Sequence, residues 1–387
     1  MKIGRIRAER FGALVAVEDP PALVSVDRVL ARRLGVDGGA LWHGEASDDA
    51  LSGPTEAHVA ATERCPAGCS GCYVDARPDG HEPTFADVCA RLDALAELGT
   101  FRIAFGGGEA ALREDVHELA AHARSRRMVP TLTTSGLGMT AARAARFRVF
   151  AQVNVSLDGD SAGYRAVRGW DGAGVAERAV AALREAGVPV GVNTVVTRES
   201  FPHLSAIAQH AEQLGACELQ LLRFKPSGRG RLDYLAQRLT AAQIDGLPGL
   251  VRRLSETRAL AVRIDCAMVP FLVGDGTVRP KDLVRFGVAG CEAGRSLMTV
   301  DARGGARPCS FWEGEATSRA HDARAAWSDD PTLTRFRAHA AEPPAPCRDC
   351  PYRAACRGGC RIVAAHLTGD PWQPDPECPR VRAHAAS

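Results

Sequence analysis

Residues 65–73 read CPAGCSGCY, which places three cysteines, Cys65, Cys69 and Cys72, within eight residues. Thiolates at this spacing can converge on one metal centre, and the proline and glycines between them indicate a loop. Free cysteines are often small buried side chains, but a loop of this composition buries its side chains poorly. The stretch therefore predicts a metal site with three thiolate ligands and an open fourth position.

Two kinds of metal site fit three clustered cysteines. Structural zinc takes four protein ligands, and His58 and His81 flank the loop as the available candidates for the fourth. Thiolates also hold iron-sulfur clusters, and a cluster held by three cysteines leaves one iron open to another ligand. We interpret the loop as an iron-sulfur site, with zinc as the alternative.

On both sides of this loop, apolar runs of strand length alternate with segments of helical periodicity. Helices are predicted at 84–98, from about 112, at 175–186 and at 203–214. The predicted strands are 58–62, 101–105, 129–134, 151–157, 188–196 and 218–224. Six strands alternating with helices favour an α/β fold of parallel strand-helix units, closed or partly closed as a (β/α)6 barrel of the TIM type.

Polar residues follow several of these strands. The cysteine loop follows the first strand, and Gly107, Gly108 and Glu109 follow the second. Reactive groups collect at the carboxyl ends of strands in such folds, so the two segments are expected to be neighbours. Glycines allow close backbone approach, and a carboxylate there can pair with an ammonium group. The strand-end segments 133–136 and 156–159 are expected to face the same mouth.

Composition shifts divide the chain into four predicted parts. Residues 1–54 form a small N-terminal unit with strands at 11–17 and 22–26 and a helix capped by Asp27. This unit could dock a substrate, or could simply pack against the main domain. The core domain spans 55–260, a bridging segment spans 261–290, and a cysteine-rich domain spans 291–387. The last part lacks periodicity, which indicates that metal rather than an apolar core holds it together.

The cysteine-rich domain contains a second group of cysteines, in which Gly304 separates the first two. The spacing Cys-x2-Cys-x5-Cys-x3-Cys in its centre is hard to explain by packing alone. Two zinc sites are the competing metal interpretation. Cys89 and Cys217, elsewhere in the chain, are expected to be buried structural thiols. The group comprises Cys291, Cys309, Cys347, Cys350, Cys356, Cys360 and Cys378.

Bulk composition is that of an ordinary globular protein, with 45% hydrophobic and 24% charged residues. A net charge of +2 gives no reason to expect nucleic acid or an acidic membrane as a partner. Residues 1–5 contain no apolar core of a signal peptide, and no run approaches 18 apolar residues. We therefore expect a cytoplasmic protein, in whose reducing compartment thirteen cysteines favour metal ligation over disulfides.

The cysteine loop and the Gly-Gly-Glu turn together resemble the radical S-adenosylmethionine (SAM) enzymes. The resemblance implies that Cys65, Cys69 and Cys72 hold a 4Fe-4S cluster whose open iron is chelated by SAM. In that family one electron cleaves SAM to methionine and a 5′-deoxyadenosyl radical, which abstracts hydrogen from the substrate. The residues implied to contact SAM are Tyr73 at the adenine, Gly107, Gly108 and Glu109 at the amino group, and Ser156, Arg168, Asn193 and Asp158 at the ribose or carboxylate. Each of the last four is equally plausible as a turn or cap residue.

One family element is missing. The GxIxGxxE pattern that some members carry on the fifth strand is not evident around residues 191–195, so no adenine contact beyond Tyr73 is assigned. The later cysteines, with Gly304, resemble the SPASM extension, which carries two auxiliary iron-sulfur clusters. That resemblance assigns Cys347, Cys350, Cys356 and Cys378 to one cluster and Cys291, Cys309 and Cys360 to the nearer one.

The nearer auxiliary cluster has three assigned ligands. No cysteine falls between Cys291 and Cys309, where sulfatase-maturating relatives have a further ligand. Either this cluster keeps an open iron, or Cys266 closes it from upstream. The departure weakens the interpretation as an anaerobic sulfatase-type maturase.

The resemblance implies a peptide or protein maturase that forms crosslinks or oxidises side chains, with a flavodoxin- or ferredoxin-type electron donor. Modification of a tetrapyrrole or other small metabolite is the second interpretation. A non-catalytic electron-transfer module is the third, and the intact SAM-site elements argue against it. No acid or base can be chosen among Arg223, Lys225, Arg229 and Asp265, each of which is equally plausible as a surface charge.

Overall fold

The computed structural model describes residues 2–18, 21–46, 50–274, 276, 278–285 and 288–386. A small three-stranded antiparallel sheet precedes a ten-stranded sheet that carries most of the helices. The strands are β1 Ile3–Glu9, β2 Gly12–Glu18, β3 Pro21–Asp27, β4 Glu56–Thr62, β5 Arg102–Gly107, β6 Val129–Thr134, β7 Gln152–Ser156, β8 Val190–Val196, β9 Glu218–Arg223, β10 Ala261–Ile264, β11 Leu297–Val300, β12 Gly305–Arg307 and β13 Ser318–Arg319.

Helices connect the strands of the large sheet and fill the carboxyl-terminal part of the described chain. Short 3-10 segments supplement them, and the one spanning Cys266–Val273 matters below. The α-helices are α1 Arg28–Arg33, α2 Phe85–Glu97, α3 Val116–Ser125, α4 Ala141–Arg146, α5 Ser161–Arg168, α6 Ala173–Glu185, α7 Leu204–Gln213, α8 Gly230–Gln237, α9 Ala241–Thr257, α10 Pro280–Arg285, α11 Ala323–Asp329, α12 Pro331–Ala341, α13 Arg353–Cys356, α14 Arg361–Thr368 and α15 Pro379–Ala385.

The large sheet has the order β10-β9-β8-β7-β6-β5-β4-β11-β12-β13. Strands β4 to β10 are parallel to their neighbours, so all seven carboxyl ends lie at one edge. This confirms the predicted α/β fold, a partial barrel of parallel strands with a cysteine-rich carboxyl-terminal region. The structure adds two parallel strands to the six that were predicted, β10 beside β9 and β11 beside β4.

The carboxyl-terminal region joins this sheet directly. Strand β11 pairs in parallel with β4 on the side opposite β5, and β12 and β13 extend the sheet with antiparallel pairing. The strand that leads into the cysteine loop is therefore flanked by the core on one side and by the cysteine-rich region on the other.

Helix α2 shows how the sequence builds the layers around the sheet. Thr84 and Asp87 form the predicted capping box, in which each side chain bonds the backbone nitrogen of the other. Val88, Leu92 and Leu95 follow at helical spacing, and all three are fully buried. The apolar stripe packs this helix onto the large sheet, and the other connecting helices add to the same core cluster.

The N-terminal unit differs from its prediction by one strand. Strands β2 and β3 and the helix capped by Asp27 are confirmed, and the Asp27 carboxylate accepts a bond of 2.7 Å from Leu30 N. Strand β1 was not predicted, because it buries the charged side chains of Arg7 and Glu9 as an ion pair. The predicted turn at 18–21 includes residues 19 and 20, which lie outside the described residues.

The N-terminal unit contacts the end of α2. Arg7 donates to the carbonyl oxygens of Pro54 and Gly99 at 2.7 and 3.1 Å, and Arg5 donates to Ala96 O at 2.7 Å. Packing of this unit against the core is thus part of the structure. Within the described part of the chain, no helix has the length and apolar character needed to cross a membrane.

Candidate functional site

The cysteine loop follows β4 at the carboxyl edge of the sheet. Cys65, Cys69 and Cys72 are each half-buried, with part of the side chain accessible to a ligand. Trp170 Nε1 donates to Cys69 Sγ at 3.2 Å, and Ala76 N donates to Cys72 Sγ at 3.4 Å. Donors directed at sulfur are the surroundings that a thiolate ligand needs.

The backbone of the loop is fixed by Arg229. Its amide nitrogen donates to Cys72 O and its Nε donates to Cys69 O, both at 2.9 Å. Its guanidinium also pairs with Asp75 at 2.6 Å. The three thiols lie close enough to influence one another, since burial first, then the charges of Glu109, Cys69 and Cys72, raise the pKa of Cys65.

The turn after β5 lies directly against this loop. Glu109 N donates to Arg64 O at 2.8 Å, and Gly108 N donates to Thr62 O at 2.7 Å. A Cβ on Gly108 would lie 2.2 Å from Arg64 O, so only glycine fits. The predicted neighbourhood of the cysteine loop and the Gly-Gly-Glu turn is therefore present, through backbone hydrogen bonds.

Glu109 is held in a defined position by the end of β6. The side chain is 3% exposed, and its carboxylate accepts bonds from Thr134 Oγ1 at 2.6 Å and from Ser135 N at 2.8 Å. Ser135 Oγ donates to the same carboxylate. Burial raises the pKa of Glu109, and these hydrogen bonds oppose the shift. A buried carboxylate of this kind favours a cationic partner.

Tyr73, the aromatic residue after the third cysteine, lies against the carboxyl-terminal region. Its ring stacks on Phe311 with centroids 4.7 Å apart at 37°, and Ser227 Oγ donates to Tyr73 O at 2.8 Å. Burial, supported by the nearby Cys72, raises the pKa of Tyr73 to about 12. The predicted adenine contact stays a prediction, and Phe311 is an aromatic neighbour that the sequence did not suggest.

The ends of β7 and β8 carry further predicted residues. Ser156 and Asn193 are adjacent in the register of these strands, and both side chains are buried. Asn193 Oδ1 has no hydrogen-bond partner among the described residues. A buried acceptor without a partner costs free energy, so the atom is available for a bound polar ligand.

Arg168 and Asp158, also predicted at this edge, bond each other. Arg168 Nε donates to the Asp158 carboxylate, which also accepts from Val195 N at 2.6 Å. Although burial alone would lower it, the Asp158 charge raises the pKa of Arg168. Arg168 also lies over the Tyr164 ring, 5.4 Å from its centroid. The pair joins α5 to the sheet edge, and its role toward SAM stays a prediction.

Four cysteines of the carboxyl-terminal region surround one cavity of about 180 Å³. Several water molecules would fill such a volume, so the cavity is large for a single ion. Cys356 and Cys378 are buried in its wall. Burial, followed by the charges of other cysteines in this set, raises the pKa of Cys347 and of Cys356. The lining cysteines are Cys347, Cys350, Cys356 and Cys378.

Cys360 belongs to a buried cluster with Phe224, just after β9, and Cys309 packs against the same cluster. Burial first, then the charge of Cys291, raises the pKa of Cys309 to about 12, and Cys360 contributes to the same shift. Cys360 N donates to Asp375 at 3.1 Å. The assignment of these seven cysteines to two clusters, which the SPASM resemblance implied, stays a prediction.

No three His, Cys, Asp or Glu side chains among the described residues converge as ligands of a single metal ion. Zinc requires its ligands about 2.1–2.3 Å from one point. An iron-sulfur cluster instead takes its thiolates around a larger inorganic core. The cavity between four cysteines suits the larger group, and the described side chains show no preformed site for zinc.

The charged residues at the ends of β9 and β10 are paired. The surface-charge interpretation is wrong for Arg223, Lys225 and Asp265, which are 5–7% exposed. Arg223 donates to Asp375 at 2.6 Å and to Glu377 at 2.8 Å. Sequence reasoning could not identify these partners, because they lie more than 150 residues away along the chain.

Cys89 and Cys217 were both expected to be buried, and neither is fully buried. Cys89 is half-buried in α2. Cys217 was expected to be buried, but it is exposed at the start of β9, where its Sγ donates to Val190 O at 3.2 Å. The residue sits at the amino end of its strand, opposite the edge that carries the site.

Comparisons with known proteins agree with this geometry. The family model of the radical SAM superfamily matches residues 59–210. A PqqA peptide cyclase from Streptomyces rochei is 30% identical over 84% of this chain and 89% of its own length. An AdoMet-dependent heme synthase from Nitratidesulfovibrio vulgaris is 26% identical over 80% of this chain and 88% of its own length.

Among solved structures, SuiB of Streptococcus suis bound to S-adenosylmethionine superimposes with a TM-score of 0.74 and 16% identity. The superposition covers 97% of this chain and 98% of SuiB. At 16% identity the superposition shows that the two chains share a fold, which includes the N-terminal unit and the cysteine-rich region.

Proposed function

The chain belongs to the radical SAM superfamily, and from this premise we propose that it oxidatively modifies a peptide or protein. The modification is a crosslink or a side-chain oxidation of the kind made in peptide natural-product maturation. The similarity to PqqA peptide cyclases, over most of both chains, supports a peptide substrate. The electron donor is a flavodoxin- or ferredoxin-type protein, and the compartment is the cytoplasm, where thirteen cysteines stay reduced.

The single observation that carries the proposal is the junction of the cysteine loop with the β5 turn. Glu109 N bonds to Arg64 O, one residue before Cys65. A cluster held by the three thiols would therefore lie next to an ammonium group paired with the Glu109 carboxylate. SAM would reach both, because the methionyl amino and carboxylate groups that would chelate the open iron are attached to one carbon, and the amino group lies on the side of Glu109.

The residues fit the cofactors that the family uses. Cys65, Cys69 and Cys72 would hold a 4Fe-4S cluster, which supplies the electron that cleaves SAM to methionine and a 5′-deoxyadenosyl radical. Half-buried thiols with donors directed at sulfur suit that role. Glu109 would bind the methionyl ammonium, while Gly107 and Gly108 let it approach the backbone. Asn193 Oδ1, buried without a partner, would accept a bond from the bound SAM.

Three further residues complete the proposed SAM site. Ser156 lies beside Asn193 in the strand register and would bond the ribose or the carboxylate. Arg168 is held in place by Asp158. Its remaining guanidinium N–H groups would donate to the carboxylate of the bound SAM. The Tyr73 ring, packed on Phe311, would lie near the adenine.

The later cysteines would hold two auxiliary clusters. Cys347, Cys350, Cys356 and Cys378 surround a cavity that suits one of them. The other belongs to the group of Cys291, Cys309 and Cys360, beside β9. Removing one hydrogen atom from the substrate leaves a radical, and oxidation is complete when a second electron and a proton leave. A chain of clusters toward the surface can accept that electron.

The four-part division of the chain is part of the same proposal. Residues 1–54 form the N-terminal unit, 55–260 the core, 261–290 the bridge and 291–387 the domain of the auxiliary clusters. Strand β11, from the last part, pairs with β4 of the core, so the two domains would move as one body during catalysis.

The proposal is tested by anaerobic reaction of the reconstituted protein with a candidate peptide, SAM and a reductant. A peptide encoded beside the gene is the first choice. Mass spectrometry should show a product lighter by two hydrogen atoms, formed together with 5′-deoxyadenosine. Formation of 5′-deoxyadenosine without change in any neighbouring peptide would contradict the peptide substrate.

A tetrapyrrole substrate is the second candidate function. The similarity to the AdoMet-dependent heme synthase, over 80% of this chain, favours it specifically. The same assay with iron-bound and free tetrapyrroles in place of the peptide separates the two, because only the true substrate should lose mass. Sulfatase-type maturation is less favoured, since no cysteine lies between Cys291 and Cys309.

A further inference from the structure

We propose that Cys266 is the fourth protein ligand of the nearer auxiliary cluster, which therefore has no open iron. The inference rests on the proposal that Cys291, Cys309 and Cys360 hold that cluster. It does not depend on the identity of the substrate.

The position of Cys266 is the first support. Strand β10 ends at Ile264, and Asp265 N donates to Leu221 O of β9 at 2.9 Å. Asp265 then caps the 3-10 segment Cys266–Val273 by accepting from Ala267 N at 2.7 Å. Cys266 is thus the first residue after the cap. It lies at the carboxyl edge of the sheet, where the active site opens.

Packing joins this turn to the other three cysteines. Ala267 belongs to one buried cluster with Cys360, and Cys309 packs against the same cluster. Arg223 connects the two segments through hydrogen bonds, because its Nη1 donates to Ala267 O at 2.8 Å and to Asp375 at 2.6 Å. Asp375 in turn accepts from the backbone nitrogen of Cys360. A buried, charged network therefore joins the turn that carries Cys266 to the backbone of Cys360.

Charge at this position also suits a thiolate ligand. Lys225 is 7% exposed, bonds Asp265, and lies 4.0 Å from the centroid of the Phe311 ring. Its ammonium interacts with the charges of both Cys266 and Cys360. A cluster with four thiolates carries net negative charge, and a buried cation beside it offsets part of that charge.

The groups that influence the Cys266 thiol agree with this placement. Burial, followed by Asp265 and then Cys291, raises the pKa of Cys266, and Cys360 contributes as well. The four distal cysteines line their own cavity. Cys266 thus belongs with Cys291, Cys309 and Cys360, which gives one thiol for each iron of a four-iron cluster.

A closed cluster has a mechanistic consequence. The substrate cannot bind to an iron that already has a cysteine ligand, so this cluster acts by accepting or passing an electron. Its closed coordination distinguishes it from the cluster at Cys65, Cys69 and Cys72, where the open iron binds SAM. Substrate specificity then depends on protein side chains around the mouth of the sheet.

The test uses a background in which Cys65, Cys69 and Cys72 are all replaced by alanine, so that the only open iron expected at the SAM site is removed. This background should contain about eight irons per chain. Mild oxidation removes an iron that lacks a cysteine ligand and leaves a three-iron cluster with a distinct EPR signal. We expect no such signal in the background and close to one spin per chain after the further change Cys266→Ala.

Cys89→Ala in the same background is the matched control, because Cys89 is half-buried in α2 and away from these cysteine groups. It should leave the EPR spectrum and the iron content unchanged. A three-iron signal already present in the background, or none after Cys266→Ala at full iron content, would overturn the proposal.

A second measurement needs no change at Cys266. Isotope-labelled cyanide binds an open iron and produces a hyperfine coupling in the EPR spectrum of the reduced cluster. The triple-alanine background should show no cyanide coupling, whereas an observed coupling would mean that an iron is open. Since both measurements omit the SAM site, neither depends on turnover. Failure of this inference is therefore distinguishable from failure of the proposed function.

Discussion

Glu109 is the proposed SAM-binding residue whose position the structure defines best. It is buried, it is fixed by Thr134 and Ser135, and it lies one turn from the cysteine loop. Its position was predicted from the glycines and the strand before it. The hydroxyl groups that orient it come from the next strand, and the sequence alone did not connect them to it.

Glu109→Gln should weaken SAM binding while leaving the fold intact. A charged hydrogen bond contributes about 1.5–3 kcal/mol, so the Kd for SAM should rise roughly tenfold to a hundredfold. The free energy of unfolding should change by no more than about 1 kcal/mol, because relief of the buried charge is opposed by the hydrogen bonds that the carboxylate accepts. Equilibrium binding of SAM to the reconstituted protein, together with chemical denaturation, measures both effects.

Glu114→Gln is the matched control, since Glu114 follows the same turn but its side chain is 80% exposed. This variant should bind SAM as the unchanged protein does. Equal affinities of the Glu109→Gln variant and the unchanged protein would contradict the assigned role.

His339 should make stability depend on pH. The side chain is 9% exposed, and burial, followed by the charge of Arg361, lowers its pKa to about 4. Between pH 6.5 and 4 the unfolded chain binds a proton that the folded protein excludes, so stability decreases as the pH falls. From pH 7.5 to 5.5 the unfolding free energy should decrease by about 1.3 kcal/mol from this residue.

Anaerobic denaturation of the holoprotein at the two pH values, with and without His339→Gln, measures that contribution. The variant should lose less stability on acidification than the unchanged protein. His321→Gln, at an exposed histidine, serves as the control. Identical pH dependence of the His339→Gln variant and the unchanged protein would show that His339 does not contribute.

At the scale of elements, the turn after β5 determines how closely the proposed SAM site packs against the cysteine loop. Gly108→Ala should distort it, because the added Cβ would lie 2.2 Å from Arg64 O. A cost of about 1–3 kcal/mol is expected for such overpacking. Weaker SAM binding and faster loss of iron on dilution should accompany it.

Gly106→Ala, two residues earlier in β5, is the matched control. An added Cβ there would meet only Tyr73 Oη, at 3.9 Å. Iron content and SAM affinity of both variants are the measurements. Equal losses in the two variants would mean that the close approach at Gly108 is not what matters.

The six predicted strands and their connecting helices could be read from the sequence because their apolar residues follow the expected periods. Val153 and Val155 of β7, for example, are fully buried as their alternation predicts. Strand β1 departs from that rule, since Arg7 and Glu9 point inward and neutralise each other. Strand β10 is only four residues long and half-exposed, which leaves little pattern to recognise.

At the scale of the whole molecule, Arg223 joins the core to the carboxyl-terminal region. It lies at the end of β9 and pairs with Asp375 and Glu377. Arg223→Met should lower the free energy of unfolding by about 3–5 kcal/mol, because Asp375 then stays buried without a cation and Glu377 keeps only Arg238. Protease should then cleave the carboxyl-terminal region faster, as measured by limited proteolysis and denaturation.

The pair of Arg382 with Asp245 offers a matched control, since it also bridges distant segments but has side chains 31% and 62% exposed. Arg382→Met should change the unfolding free energy by less than about 1 kcal/mol. If the two variants were equally stable, the buried network would not be the link between the regions.

The SPASM resemblance implied which thiols share a cluster, and the four cysteines of the distal set line one cavity. The spacing of the cysteines could not show whether Cys266 is a cluster ligand, because the ligands of one cluster come from segments far apart in the chain. The buried pairing of Lys225 with Asp265 has the same origin. A local sequence pattern cannot predict such contacts, because the residues that make them are far apart in the chain.

The central claim is that the loop of Cys65, Cys69 and Cys72 supports reductive cleavage of SAM. The most direct test incubates the anaerobically reconstituted protein, with about twelve irons per chain, with SAM and a reductant. We predict that 5′-deoxyadenosine forms with the unchanged protein and not with the triple-alanine variant of the loop. Absence of 5′-deoxyadenosine from the fully loaded protein, or equal amounts from both proteins, would contradict the claim.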